Sequence, residues 1–174
     1  MHADNWANKA KQEGYRTRAV YKLEEILQKT KSLKRTQNVL DLGSAPGGWA
    51  HYIKKKSPNS VVYAIDILDM EAVDGVYFFQ NSIEEIDNID SISSKMGSFG
   101  LVISDIAPNI TGINAIDTEN IYELNLLTLD TATKYLNKSH GSFIMKTFQN
   151  SMLKNLRKKM ELSFKIVQTF KPAA

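Results

Sequence analysis

The chain contains no cysteine, which excludes disulfides and thiolate metal sites. Histidine is almost as scarce. His2, His51 and His140 stand far apart with no metal-ligand spacing, and no metal is expected. No apolar run is long enough to span a bilayer, and the opening MHADNWANKAKQEGYR lacks the apolar core of a signal peptide. No membrane partner is expected, and a cytoplasmic setting is the default, with an organellar mature chain as the alternative. Repeats, linkers and low-complexity blocks are missing too. What remains is a length of 174 residues, 43% hydrophobic and 24% charged. That suits one domain, 1–174, with a core large enough to need no staples.

Acidic residues are thin at both ends of the chain. Residues 1–35 hold Lys9, Lys11, Arg16, Arg18, Lys22, Lys29, Lys31, Lys34 and Arg35 against Asp4, Glu13, Glu24 and Glu25. The stretch Asp66 to Asp90 is acidic, and the end is basic again from Lys154 to Lys171. Two basic termini folded onto one face would make a phosphate-binding surface; solvated helix faces are the plain alternative.

Strand-like runs are expected at Asn38–Leu42, Val61–Asp66, Val76–Gln80, Leu101–Asp105, Ser142–Lys146 and Lys165–Phe170. Helical patterns fall at Thr17–Lys29, Gly48–Lys56, Asn120–Leu136 and Ser151–Leu162, with a loop or short helix over Ser91–Gly100. Strands alternating with helices predict an α/β fold, a mostly parallel sheet flanked by helices. In the first of these helices Ala19, Val20, Leu23, Ile26 and Leu27 form one apolar arc. Lys22 stands at its edge, placed to be half-buried.

The run VLDLGSAPGGWA, Val39 to Ala50, ends a strand in an acidic residue and passes through a glycine turn into a helix. Such a turn presents backbone N–H groups to a nucleotide-like ligand. The spacing of Gly43, Gly47 and Gly48 is not G-x-G-x-x-G, which counts against a dinucleotide-dependent dehydrogenase. Asp66 closes the second strand, where a carboxylate can accept from both ribose hydroxyls of an adenosine. Asp105 and Lys146 each end an apolar strand. A helix N-cap and a snorkelling lysine are their structural alternatives. If those strands are neighbours, both side chains emerge over the same crevice, with Lys146 placed to act as a general base.

GYRTRAVYKLEEI, DLGSAPGGW, DILDM, SDIAPNITG and IMKTFQ occur in this order between about Gly14 and Pro172. Together they resemble the FtsJ/RlmE family of S-adenosylmethionine-dependent ribosomal RNA 2′-O-methyltransferases. The resemblance implies a Rossmann-like methyltransferase sheet of seven strands, the last antiparallel. It also implies that S-adenosyl-L-methionine is the cofactor and S-adenosyl-L-homocysteine the product. Of the family's Lys-Asp-Lys-Glu set, three members fall on Lys22, Asp105 and Lys146. Cofactor contacts fall on Gly47, Gly48, Trp49 and Asp66, with Asp105 beside the methyl donor; Asp41 and Gly43 join them at the turn. The expected substrate is a uridine of large-subunit ribosomal RNA, in the free RNA or the subunit, and the expected state is a monomer. Arg16, Arg18 and Lys34 in the basic segment 1–35 are candidates for phosphate contacts. Transfer RNA, an mRNA cap, or a non-catalytic role in RNA binding or ribosome assembly are the alternatives.

Two departures stand out. Where the family has an aspartate for the adenine amino group, this chain has Ser82, preceded by Asn81; each can accept that hydrogen bond without charge. The sequence also stops at FKPAA, where the family continues into the antiparallel strand bearing the tetrad's glutamate. The reading is that this sequence is truncated there.

Overall fold

The computed structural model describes residues 3–173. His2, at the head of the basic segment, and the terminal Met1 and Ala174 lie outside the described residues. The elements are α1 (Ala3–Gln12), α2 (Val20–Thr30), β1 (Asn38–Leu42), α3 (Gly48–Lys56), β2 (Val61–Asp66) and β3 (Val76–Gln80). A 3-10 turn (Ile83–Asn88) and α4 (Asp90–Ser93) lead to β4 (Leu101–Ser104), α5 (Asn114–Tyr135), β5 (Ser142–Met145) and α6 (Leu153–Glu161). None of the helices described is long and apolar enough to cross a membrane.

The strands form one sheet in the order β3-β2-β1-β4-β5, and every pairing is parallel. A parallel sheet carries helices on both faces, so its central strands are buried on both sides. Alternation along β1 sends Val39 toward α2 and α3, where it packs with Leu23, Ile53 and Ile103. It sends Leu40 and Leu42 the other way, against Phe99, Ala132 and Tyr135. Asp41 shares the face of Val39 and is therefore carried into the apolar layer. The order reverses between β1 and β4, and the crevice for a ligand opens at the carboxyl ends of those strands.

Several boundaries differ from the sequence reading. α1 was not expected: Trp6, Ala7 and Ala10 give it too few apolar positions to show a period. α5 starts six residues early, at Asn114 rather than Asn120. The cause is Asp117, whose carboxylate accepts from the N–H and hydroxyl of Thr111, both at 2.7 Å, and from the Gly112 N–H at 3.0 Å. This folds the loop back onto the first helical turn. Lys165–Phe170 is not a strand. It forms no ladder with β5; the two segments line a common groove of about 990 Å³. It is held instead by Arg157, which donates to the Val167 carbonyl at 2.8 Å and the Thr169 hydroxyl at 3.3 Å.

Candidate active site

The sheet register lines up the candidate residues. Leu42 is level with Ile65 on one side and Ser104 on the other, and Ser104 is level with Met145. Asp66, Asp105 and Lys146 thus each stand one residue beyond the same level, at the carboxyl edge. Asp66 pairs in register with Gln80, and the Asn81 N–H donates to the Asp66 carbonyl at 2.9 Å. Asn81 and Ser82 extend the same row.

The glycine turn hangs from the end of β2. The N–H groups of Gly43 and Ser44 donate to the Ile65 carbonyl at 2.9 and 3.2 Å, and that of Ala45 to Asp66 Oδ2 at 2.9 Å. The other oxygen of Asp66 accepts from the Leu68 N–H at 2.8 Å. Gly47 has a φ of 97°, a left-handed conformation that glycine alone takes without strain. A Cβ on Gly48 would stand 2.5 Å from Thr17 Oγ1, so the helix start can seat against the N-terminal segment only without a side chain. Trp49, 5% exposed, donates its indole N–H to the Ala19 carbonyl at 3.0 Å.

Asp41 is 1% exposed, and neither of its oxygens has a hydrogen-bond partner. Burial pushes its carboxyl well above the usual carboxylate range; the charges of Asp105 and Asp66 add to this, and the nearby backbone N–H of Ala50, which falls outside good hydrogen-bond geometry, only partly opposes it. The β1–β2 half of the edge thus carries two carboxyl groups, Asp41 and Asp66, and among the described residues no cation is paired with either. The β5 half is cationic. Lys146 forms an ion pair with Asp105, and Lys22 lines the same groove as Lys146 and Trp49. Lys22 has no ion-pair partner among the described residues. The two basic ends of the chain also meet here, with Lys29, Lys165 and Lys171 on the groove walls.

Other expected residues sit differently. The Ser82 hydroxyl accepts from the Glu84 N–H at 3.2 Å and caps the 3-10 turn, while Asn81 Oδ1 accepts from the Ser82 N–H at 2.8 Å. Arg18 is exposed. Arg16 is not free for phosphate: Nη1 donates to the carbonyls of Pro46 and Glu71 at 2.9 and 2.6 Å, and Nη2 to that of Ala72 at 2.6 Å. Lys34 is exposed but remote from the crevice. Its carbonyl accepts from Ser57 Oγ at 2.9 Å, and Ser57 follows the last turn of α3, at the amino edge of the sheet.

Sequence reasoning missed two features. Ile67 and Leu68, 68% and 63% exposed, leave apolar surface beside Asp66; the signal was the apolar pair in DILDM. Buried Asn125 on α5 donates to Thr147 Oγ1 at 2.6 Å, tying that helix to the residue after Lys146. Nothing local in the sequence pairs them.

The comparisons with known proteins bear on the same residues. The family model for FtsJ-like methyltransferases matches residues 15–174. The ribosomal RNA large subunit methyltransferase E of Dechloromonas aromatica is 37% identical over 98% of this chain and 84% of its own length. The protein of the same name from Borrelia garinii is 39% identical over 98% and 88%. Among solved structures, a chain described as a ribosomal RNA methyltransferase from Plasmodium falciparum superposes with a TM-score of 0.82 at 29% identity, covering 91% of this chain and 92% of that one. The family match spans the glycine turn, the row of residues at the sheet edge and Lys22 together, and this chain belongs to the FtsJ-like methyltransferase family.

Proposed function

We propose that this methyltransferase moves the methyl group of S-adenosylmethionine to a ribose 2′-oxygen of large-subunit ribosomal RNA, at a uridine, and that it works as a monomer where ribosomes are made. The observation that carries this is the polarity of the sheet edge, acidic over β1 and β2 and cationic over β5. The acidic half fits a cofactor with cationic sulfonium and ammonium groups, because a positive charge beside Asp41 offsets the cost of its burial. The cationic half fits a polyanion. The names of the relatives, which specify large-subunit ribosomal RNA, favour that polyanion.

When bound, S-adenosylmethionine supplies a methyl group already electrophilic through its positive sulfur. The protein has to align the ribose oxygen and deal with its proton. Alignment in a near-attack geometry lowers such barriers by up to roughly 7–11 kcal/mol. Lys146 holds the 2′-hydroxyl and, once its ammonium has released a proton to solvent, takes the hydroxyl proton as the free amine. Asp105, paired with Lys146, fixes the direction of the amine. Lys22 adds positive potential where negative charge grows on the oxygen. Asp66 meets the ribose of the adenosine through the lone pairs that its turn contacts leave open, with Ile67 and Leu68 as apolar surface for its base. Asn81 and Ser82 offer uncharged acceptors to the adenine amino group.

The test supplies tritiated-methyl S-adenosylmethionine with large-subunit RNA, intact large subunits, transfer RNA and capped mRNA. The expected label appears in large-subunit RNA and survives alkaline hydrolysis within a dinucleotide, because a 2′-O-methyl group blocks cleavage of the next phosphodiester. Label confined to transfer RNA or to the cap would move the substrate, and label recovered in mononucleotides after alkaline hydrolysis would overturn ribose methylation.

A further inference from the structure

An arginine side chain that meets only carbonyl oxygens is unusual, since its charge is normally matched by a carboxylate or phosphate. Arg16 spans two loops in this way. Pro46 lies in the glycine turn, and Glu71 and Ala72 lie in the loop that follows Asp66. The same spot is closed from the other side by Gly47, where a Cβ would stand 2.9 Å from Met70 Sδ, 3.0 Å from Arg16 Nη1 and 3.1 Å from Val73 Cγ2. The contact continues along the chain. Thr17 seats against Gly48 and the Ala19 carbonyl accepts from Trp49. Lys22 follows in the first turn of α2.

We propose that Arg16 is a positioning residue that couples the cofactor site to the placement of Lys22. The proposal rests on the reading of the glycine turn and Asp66 as the S-adenosylmethionine site. A rigid planar fork can bridge two loops at once, where a single ammonium cannot. With the fork in place, filling the cofactor site steadies both loops, and through them the segment from Arg16 to Lys22. By linkage the ordered segment also favours the cofactor. Arg16 touches neither reactant in this scheme; it sets the distance between the two halves of the site.

Two measurements test this: S-adenosylhomocysteine binding by titration calorimetry, and amide hydrogen exchange of residues 15–23 with and without that ligand. Both are run on the wild type, Arg16→Ala, Arg16→Lys and, as a control on the cofactor reading, Asp66→Ala. In the wild type, ligand is expected to slow exchange across 15–23. Arg16→Ala and Arg16→Lys are both expected to bind about ten-fold more weakly and to lose that ligand-dependent protection. Wild-type affinity in both variants overturns the proposal. So does wild-type exchange in 15–23 that does not respond to bound ligand, a result that needs no variant. If the wild type fails to bind, or Asp66→Ala binds as well as the wild type, it is the cofactor reading that fails and not the clamp.

Discussion

The indole N–H of Trp49 and the carbonyl of Ala19 are 3.0 Å apart, and this bond fastens the helix after the glycine turn to the segment that carries Lys22. Trp6 offers an internal contrast, because its buried indole N–H has no partner and it packs on Tyr21 through the ring alone, with centroids 4.9 Å apart. Replacing either tryptophan by phenylalanine keeps an aromatic ring and removes an N–H. Trp49→Phe is expected to cost about 1–2 kcal/mol, since it gives up a made hydrogen bond. Trp6→Phe is expected to cost less, because it removes an unsatisfied donor. Urea midpoints at constant slope measure both; equal losses would show that the Trp49 bond contributes nothing.

Gly48 sets two effects against each other. It opens α3, where alanine is normally favoured over glycine by about 1 kcal/mol. A Cβ there meets Thr17 Oγ1 at 2.5 Å, and overpacking of this kind costs about 1–3 kcal/mol. Gly48→Ala is therefore expected to destabilise the wild type and to become neutral or stabilising in a Thr17→Ala background. The double-mutant cycle reads the contact directly. Additive effects would mean that the segment around Thr17 moves aside freely.

The sheet was legible in the sequence because buried parallel strands read as short apolar runs. β1, β2 and β3 fall on the expected residues, and β4 and β5 each stop one residue short. Asp66, Asp105 and Lys146 were legible for the same reason, as polar residues closing apolar runs, and the register then set them in one row. Residues whose partners are distant in sequence were not legible. Arg16 looked like a phosphate ligand, yet its carbonyl partners lie 30, 55 and 56 positions away. Lys34 belongs to the same basic segment, but α3 runs back to the opposite edge and places it there. Lys165–Phe170 has strand-like residues without a neighbour to pair with, and strand formation depends on that neighbour more than on propensity.

Asp41 makes stability fall with pH. Its carboxyl is held well above the ordinary 3.8 when folded. As pH rises through that ordinary value, the unfolded chain loses a proton that the native protein keeps. The native state then binds more protons, so unfolding becomes easier until the folded carboxyl itself ionises. Asp41→Asn removes this titration. Urea unfolding at pH 5 and pH 8, on protein without ligand, should show a smaller loss of stability in the variant across that interval. Parallel pH dependences in the two proteins would mean that the burial of Asp41 is compensated.

Arg18 and Arg16 are two residues apart and should behave differently toward RNA. Arg18 is exposed, whereas Arg16 is engaged with three carbonyls. Each phosphate contact contributes about one to the slope of log affinity against log salt. Arg18→Ala is expected to lower that slope by about one for large-subunit RNA, and Arg16→Ala to leave it unchanged. Filter binding across a salt series distinguishes them; the reverse pattern would return Arg16 to the phosphate surface.

Lys146 and Asp105 face each other as an ion pair at the ends of β5 and β4, and the proposed chemistry assigns them different losses. Lys146→Ala removes the group that meets the ribose oxygen. It should cut methyl transfer by about two to four orders of magnitude, the range for a positioned general base, while cofactor binding at the other half of the edge stays near the wild type. Lys146→Arg is not expected to rescue, because the guanidinium keeps its proton and has a different shape. Asp105→Asn leaves the amine present but less well directed, so its turnover should fall less than that of Lys146→Ala. Single-turnover methylation with saturating cofactor isolates this step from binding. Near-normal turnover in Lys146→Ala would remove the lysine from the reaction and make Lys22 the next groove lysine to test.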